Sequence, residues 1–231
     1  MTRLILLTEY GFADVVAAPL RAAAPDLDVR IAATLADLES GLDGAAPVRI
    51  VSFGSGVIVP PALLARVGAG AYNFHPGPPA YPGIFPSVFA LYDGAGDFGV
   101  TLHEMTAEID AGPIVAVAEF PIAQGWDRLG LDTASFTALM TLLERSAKRL
   151  TDLQTPLTHT THTWSAPRRT RKDFNALCHL PDDVTPEEFA RRYRAVGEGP
   201  DHALTFTRFG RSFRLQSRGG DVVRGGQPVK T

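Results

Sequence analysis

The sequence predicts an α/β fold: a Rossmann-like, doubly wound sheet of mostly parallel strands with a small C-terminal extension made of a helix and a β-hairpin. Short apolar runs alternate with segments of helical periodicity over residues 1–75, which is the pattern of a parallel sheet with helices on both faces. The composition changes after Gln154 towards Thr, His, Arg and Pro. We therefore predict a main domain over residues 1–155 and an extension over residues 156–231.

The first four predicted strands are short apolar runs, at residues 4–7, 29–32, 48–53 and 69–75. Continuous runs of this length are typical of strands that a parallel sheet buries on both faces. Helical spacing between these strands predicts a helix over residues 12–24, a weak helical turn over 35–39 and a helix over 61–67.

Two strand-like segments follow, at residues 98–104 and 113–122, with a polar turn between them. The helix at residues 133–150 is the best supported, because six apolar side chains share one helical stripe: Phe136, Leu139, Met140, Leu143, Ala147 and Leu150. In the extension, Thr185 and Pro186 predict a helix start, and residues 203–215 predict a hairpin that turns near Gly210.

Charge and composition argue against several classes of function. The chain has 22 Lys and Arg residues against 25 Asp and Glu, and a net charge of -3, so we expect no nucleic-acid partner. No apolar stretch approaches the length of a membrane span, so we expect no membrane partner and a cytoplasmic location. The single cysteine, Cys178, is interpreted as a small buried hydrophobic residue.

Two polar segments of the extension have more than one interpretation. His159 and His162 could be metal ligands, but no further ligand follows at a familiar spacing, so we predict no metal site. The basic run at residues 168–172 is either a solvated loop or a group that binds an anionic substrate.

The residues with the clearest chemical potential lie at the end of the fourth strand. Asn73 and His75 are two positions apart, so both side chains point to one face of the sheet. Pro76 ends the strand there, and open α/β sheets place their ligand sites at such ends. An amide N–H can stabilise an oxyanion and an imidazole can move a proton, so the pair suggests acyl or amide chemistry. On these two residues alone, a structural histidine is the commoner case.

The flanking motifs resemble those of the folate-dependent formyltransferases. Three motifs carry the resemblance, which is good over residues 48–150: Asn73-x-His75-Pro76, Gly99-Val100-Thr101, and Asp110-Ala111-Gly112-Pro113-Ile114. The family includes glycinamide ribonucleotide, methionyl-tRNA and sugar-nucleotide N-formyltransferases and the formyltetrahydrofolate deformylases. The resemblance implies that Asn73, His75 and Asp110 are catalytic. We expect Asp110 to lie within hydrogen-bonding reach of His75, directly or through one water, and to raise the pKa of that imidazole.

The resemblance also implies that 10-formyltetrahydrofolate is the donor and that two loops form its pocket. The loops match Phe53, Gly54, Ser55, Gly56, Val57 and Ile58 after the third strand, and Met105, Thr106, Ala107, Glu108 and Ile109 before the last strand. Glycines in the first loop would let the backbone approach the pterin ring; alternatively, they form only a strand-ending turn. The chain departs from the family pattern at Gly77-Pro78-Pro79-Ala80, where Ser-Leu-Leu-Pro is usual, and at Ala111, where Thr is usual.

The acceptor is expected to be a small amine, with an amino sugar on a nucleotide as the first candidate. The Pro-rich loop at residues 76–83 would form a stiff pocket wall, with Tyr81 and Phe85 packing on the substrate. A methionyl-tRNA formyltransferase usually has a further basic β-domain and a deformylase an N-terminal regulatory domain, and we expect neither here. An inactive folate- or nucleotide-binding module is a further alternative, and a homodimer is left open.

Overall fold

The computed structural model describes residues 2–44, 47–199 and 202–216. Within them, six strands form a mixed sheet: β1 (Arg3–Leu7), β2 (Asp28–Ala32), β3 (Val48–Phe53), β4 (Ala71–His75), β5 (Asp97–Glu104) and β6 (Ile114–Pro121). The predicted hairpin is present as β7 (Thr205–Arg208) and β8 (Arg211–Arg214). The predicted fold class is confirmed, and so is each predicted strand of the large sheet. Residues 217–231 of the predicted extension lie outside the described residues.

The described helices are α1 (Ala13–Ala23), α2 (Leu35–Leu42), α3 (Pro61–Leu64), α4 (Pro86–Asp93), α5 (Arg128–Thr151), α6 (Arg171–Cys178) and α7 (Pro186–Val196). The predicted start of α5 at residue 133 is wrong, because the Asp127 side chain accepts from the Gly130 N–H and caps the helix earlier. Neither α4 nor α6 was predicted. Six of the eight residues of α4 are buried, so it shows no apolar stripe.

The register of the sheet brings polar residues of two strands together. The strand order is β2-β1-β3-β4-β5-β6, and the first three pairs are parallel while the last two are antiparallel. Across the antiparallel junction of β4 and β5, Asn73 faces His103 and His75 faces Thr101. These four side chains therefore form a small polar block on two neighbouring strands.

The two faces of the sheet are covered differently. Leu4 and Leu6 of β1 belong to an apolar cluster with α1 and α5, whereas Ile5 and Leu7 point the other way, into a cluster with α2 and α3. Over β4 and β5, alternation places the polar block on this second face. The described contacts of the block come from loops and from Trp164 of the extension.

The extension shares a second core with the main domain. Helices α6 and α7 pack with α4 and with Leu131 of α5. Cys178 is buried there, and burial raises the pKa of its thiol to about 11, as fits a packing role. The extension is therefore packed against the main domain through α4 and the start of α5.

Candidate active site

Strand β4 places Asn73 and His75 side by side at its carboxyl end. The alternate side chains, Tyr72 and Phe74, are buried in the cluster with α1 and α5 and fix the orientation of the strand. His75 is only 3% exposed, whereas Asn73 is half-buried. The amide is thus the more accessible of the two groups.

Asp110 approaches the block from the loop between β5 and β6. Its backbone is left-handed, with a φ of 48°, a conformation that aspartate tolerates and that is concentrated at functional sites. The chain then crosses β5 closely, since a Cβ at Gly112 would lie 1.9 Å from the carbonyl oxygen of Glu104. Only glycine fits at that point, so Gly112 determines the path of the loop that carries Asp110.

The Asp110 carboxylate lies between two imidazole rings. Its Oδ2 is 3.5 Å from Nδ1 of His75, and its Oδ1 is 3.3 Å from Nε2 of His103. The Gly83 N–H also donates to Oδ2, at 2.9 Å. The expected proximity of Asp110 to His75 is confirmed, and the same carboxylate ties in the Pro-rich loop.

Both ring nitrogens of His75 face oxygen atoms. Nε2 is 2.9 Å from the carbonyl oxygen of Tyr81, and Nδ1 faces Asp110 at the longer distance. A carbonyl oxygen can only accept, so the shorter contact assigns the ring hydrogen to Nε2. Nδ1 is therefore the basic nitrogen. When it takes up a proton, both N–H groups of the imidazolium have an acceptor.

Burial controls the resting charge of the cluster. It lowers the pKa of His75 below its usual value, although the charge of Asp110 and the Tyr81 carbonyl act to raise it. The expected effect of Asp110 on the His75 pKa has the predicted sign, but burial outweighs it and the net direction is downward. Burial alone would raise the pKa of Asp110, but the contacts of the carboxylate with His103, with His75 and with the Gly83 N–H together bring it below its usual range. At neutral pH the site thus holds a neutral His75 beside an ionised Asp110.

Motif reasoning missed one member of the cluster, His103 on β5. Its Nε2 is 3.2 Å from Nδ2 of Asn73 and 3.3 Å from Asp110, while its Nδ1 is 2.9 Å from the Glu104 carbonyl oxygen. The Glu104 carbonyl can only accept, so the ring hydrogen lies on Nδ1, and Nε2 accepts from the Asn73 amide while it also lies close to the carboxylate. His103 lies on the predicted strand at residues 98–104, but only antiparallel pairing with β4 places it opposite Asn73.

A cavity of about 870 Å³ lies beside Asp110, within the size range of small-molecule sites. Its walls are Pro82, residues 107–114 and five residues of the extension. These five are His162, Thr163, Trp164, Ala166 and Arg168. The imidazoles of His75 and His103 do not line it, because Asp110 and Trp164 lie against them.

The loop predicted to bind folate after β5 only partly lines this cavity. Ala107, Glu108 and Ile109 are on its wall. Met105 instead packs against the apolar cluster of α2 and α3, and the Thr106 hydroxyl donates to the Glu108 carbonyl oxygen. The predicted folate contact of these last two residues stays a prediction.

The loop predicted after β3 does not line the cavity. It leaves the sheet beside His75, since Phe53 pairs with Phe74. The Phe53 ring is buried, so only its backbone is available to a ligand. A glycine with φ of 59° and a hydrogen bond from the Val57 N–H to the Ser55 hydroxyl curl the chain, and the outer residues are exposed: Gly54, Gly56 and Ile58.

The structure does not place Tyr81 and Phe85 on the cavity wall. Tyr81 packs towards Phe98, and the Phe85 ring lies 4.3 Å from that of Phe174 with the Arg171 guanidinium over it. Because the second core holds these two rings, neither lines this cavity, and their contact with the substrate stays a prediction. Trp164 supplies the aromatic surface there instead.

The basic run at residues 168–172 divides between two roles. Arg169 lies over the Phe89 ring and 3.6 Å from Asp93, and Arg171 begins α6 against Phe85. Arg168 is exposed and lines the cavity. Binding of an anionic substrate therefore stays a prediction, and Arg168 is the residue of the run to which it applies.

His159 and His162, the two possible metal ligands, contact side chains of the protein. His159 lies 2.8 Å from the Glu104 carboxylate, and His162 lies 3.3 Å from the Thr160 hydroxyl. In the described part of the chain, no group of three or more His, Cys, Asp or Glu residues could hold a metal ion. Nor is any described helix long and apolar enough to cross a membrane.

The cluster can act on a carbonyl carbon. Asn73 has a second amide hydrogen besides the one towards His103, and it can donate to an oxyanion, worth ~10²–10³ in rate. Nδ1 of neutral His75 can accept a proton on the side that faces Asp110, and general-base catalysis of this kind is worth ~10²–10⁴. Asp110 is placed to stabilise the imidazolium that forms.

Comparison with known proteins supports the family suggested by the motifs. The sequence profile of the family described as "Formyl transferase" matches residues 22–133, a little under half of the chain. The resemblance drawn from the three motifs is thereby confirmed, and Asn73, His75, His103 and Asp110 all lie within the matched residues.

Curated relatives of this chain include a formyltransferase named for an amino-sugar nucleotide. The dTDP-4-amino-4,6-dideoxyglucose formyltransferase of Mycobacterium tuberculosis (strain H37Rv) is 40% identical over 82 residues, which are 35% of this chain and 33% of that protein. The chain spans two fifths or less of the curated relatives that it matches first.

Solved structures share the fold over most of the chain. A sugar N-formyltransferase from a Shewanella species has a TM-score of 0.77 at 21% identity, covering 94% of this chain and 97% of the other. An N-formyltransferase from Helicobacter canadensis, solved with folinic acid and dTDP-3-aminofucose, has a TM-score of 0.64 at 18% identity, covering 84% and 80%. The formyltransferase domain and the extension thus occur together in the same fold.

Proposed function

We propose that this chain transfers a formyl group from 10-formyltetrahydrofolate to the amine of a small acceptor. The observation that carries the proposal is the cluster of Asn73, His75 and Asp110 beside a cavity in a formyltransferase domain. An uncharged amine attacks the formyl carbon while Asn73 donates to the oxyanion, and the amine proton passes by way of the Asp110 carboxylate, which lines the cavity, to Nδ1 of His75. The C–N bond to the folate then breaks, and the proton passes to the departing nitrogen.

The donor is proposed to bind between the loop after β3 and the loop that carries Asp110. Both loops present backbone groups at the carboxyl ends of the strands that they follow. Gly54 has a positive φ, which favours glycine, and without a side chain it leaves room for a ligand to approach the backbone. Each step uses groups of the chain itself, so we expect activity to survive treatment with EDTA.

The acceptor class that we propose is an amino sugar carried on a nucleotide. The Mycobacterium relative is named for such a substrate, and the Helicobacter enzyme was solved with one. In this chain, Arg168 puts a guanidinium on the cavity wall, where it could bind a diphosphate in bidentate fashion. Residues 156–231 would then serve as an extension that completes the acceptor side.

Binding and turnover measurements test the proposal. Calorimetry should detect binding of 5-formyltetrahydrofolate, and a panel of amino-sugar nucleotides with 10-formyltetrahydrofolate should include an acceptor that releases tetrahydrofolate. No folate binding would refute the proposal. Formate release without any amine would indicate a deformylase, and formylation of methionyl-tRNA would indicate a tRNA enzyme. Folate binding without turnover on any acceptor, or with water, would indicate an inactive binding module.

A further inference from the structure

We propose that Trp164 is a positioning residue for formyl transfer, which holds the imidazoles of His75 and His103 in place beside Asp110. The proposal rests on the proposed function, and it assigns a role to a residue outside the matched residues 22–133. We use the name strap for residues 158–170, the segment of the extension that contains Trp164.

The Trp164 ring contacts both histidines with its edge. Its centroid is 5.6 Å from that of His75 and 5.1 Å from that of His103, with interplanar angles of 77° and 85°. These separations are typical of edge-to-face aromatic pairs. A single indole therefore restricts the rotation of the two rings between which Asp110 lies.

A hydrogen bond fixes the indole itself. Its Nε1–H donates to the carbonyl oxygen of Gly112 at 2.9 Å. Gly112 is two residues from Asp110, at the point where a Cβ would lie 1.9 Å from the Glu104 carbonyl oxygen. The indole is thus bound to the loop that carries the carboxylate as well as packed on the rings that the carboxylate holds.

Backbone hydrogen bonds join the strap to both sides of the site. The Thr160 N–H donates to the carbonyl oxygen of Ile114, at the start of β6, at 2.7 Å. The Ser165 N–H donates to the carbonyl oxygen of Pro79 at 3.0 Å. The Arg169 N–H donates to Pro82 at 2.8 Å. A Cβ at Gly83, where φ is 98°, would lie 2.1 Å from the Arg169 carbonyl oxygen. The strap therefore holds the Pro-rich loop and the Asp110 loop at fixed positions over the same sheet face.

Trp164 is not an ordinary core residue, because it lies between the cavity and the two histidines. The ring is half-exposed and lines the cavity on one side, while the histidines on its other side are each 3% exposed. The titratable groups next to His75 are Asp110 and His103; His162 and Arg168 lie elsewhere on the cavity wall. Trp164 brings no charge, so its effect on His75 is to exclude water.

Three variants test the proposal in the full chain. Trp164→Ala opens the rings to water and frees their rotation, so kcat should fall by roughly 10²-fold with a smaller change in the KM for folate. Trp164→Phe keeps an aromatic edge but loses the hydrogen bond to the Gly112 carbonyl oxygen, so its kcat should lie between that of Trp164→Ala and that of the parent chain. Trp126→Phe is the matched control, because Trp126 is also half-buried but belongs to the second core. It should keep the parent kcat.

The pKa of His75, measured by NMR, gives a readout that does not require activity. Burial lowers this pKa, so Trp164→Ala should raise it towards the ordinary histidine value, and the acid limb of the kcat profile should move to higher pH. If Trp164→Ala does not fold, Trp164→Phe decides with the same two measurements. A His75 pKa equal to that of the Trp126→Phe control would overturn the positioning role, whatever happens to kcat. A shifted pKa in a chain that transfers no formyl group would instead locate the failure in the proposed function.

Discussion

Asn73 and His75 should be needed for turnover, because each supplies a group that formyl transfer uses at the reacting carbon. We expect Asn73→Ala and His75→Ala each to lower kcat by at least ~10², with little change in melting temperature. His179→Ala is a matched control, since His179 is exposed at the end of α6, and it should retain the parent rate. Near-normal turnover in either site variant would remove that residue from the mechanism. Failure of both to fold would assign them a structural role.

Asp110 should influence the rate through the charge of His75. Asp110→Asn keeps the shape but removes the negative charge that acts to raise the pKa of His75. That pKa should therefore fall further, so the acid limb of the kcat profile moves to lower pH. The maximum rate should also fall, because the imidazolium loses its counter-charge. Measuring kcat from about pH 5 to pH 8 tests both effects, and an unmoved limb would contradict this account.

At the scale of elements, the loop between β5 and β6 determines where the carboxylate lies. Gly112→Ala would place a Cβ 1.9 Å from the Glu104 carbonyl oxygen, so the loop must shift and Asp110 must leave its place between the imidazoles. We expect a loss of about 1–3 kcal/mol in the free energy of unfolding, together with reduced kcat.

The matched control for this loop is Gly96→Ala. A Cβ there meets no atom within 4 Å, so stability should change by less than about 0.5 kcal/mol. Chemical denaturation and steady-state kinetics on the two variants provide the comparison. Equal behaviour of the two would mean that the close approach at Gly112 does not hold the loop.

At the scale of the whole molecule, acceptor binding should depend on the extension. If Arg168 binds the diphosphate of a nucleotide sugar, Arg168→Ala should raise the KM for that acceptor about 10- to 100-fold and leave kcat almost unchanged, because the contact is present before and during the reaction. Lys172→Ala is the control, since Lys172 belongs to the same basic run but does not line the cavity.

Kinetics with a nucleotide sugar and with its sugar lacking the diphosphate would check the assignment of Arg168. On the acceptor without the diphosphate, Arg168→Ala and the parent enzyme should have the same KM, because neither enzyme can then contact a diphosphate. A defect that persists on the truncated acceptor would place Arg168 against another part of the substrate.

The sequence by itself determined the class of fold and three candidates for the reaction. Apolar runs and helical spacing are local properties, so they located all six strands of the sheet and the long helix α5. The motifs likewise placed Asn73, His75 and Asp110 by their order along the chain. Local patterns fail where burial hides the period, as in α4, or where a helix is short, as in α6.

Only the tertiary structure decided which distant residues meet. Antiparallel pairing of β5 with β4 brought His103 to Asn73, and the strap brought Trp164 onto the histidines from beyond the family match. The net direction of the His75 pKa was also decided there, since burial depends on everything packed around the ring. The physical reason is common to all three: a strand or loop encodes its own conformation locally, whereas its neighbours in space depend on how the whole chain buries its apolar faces.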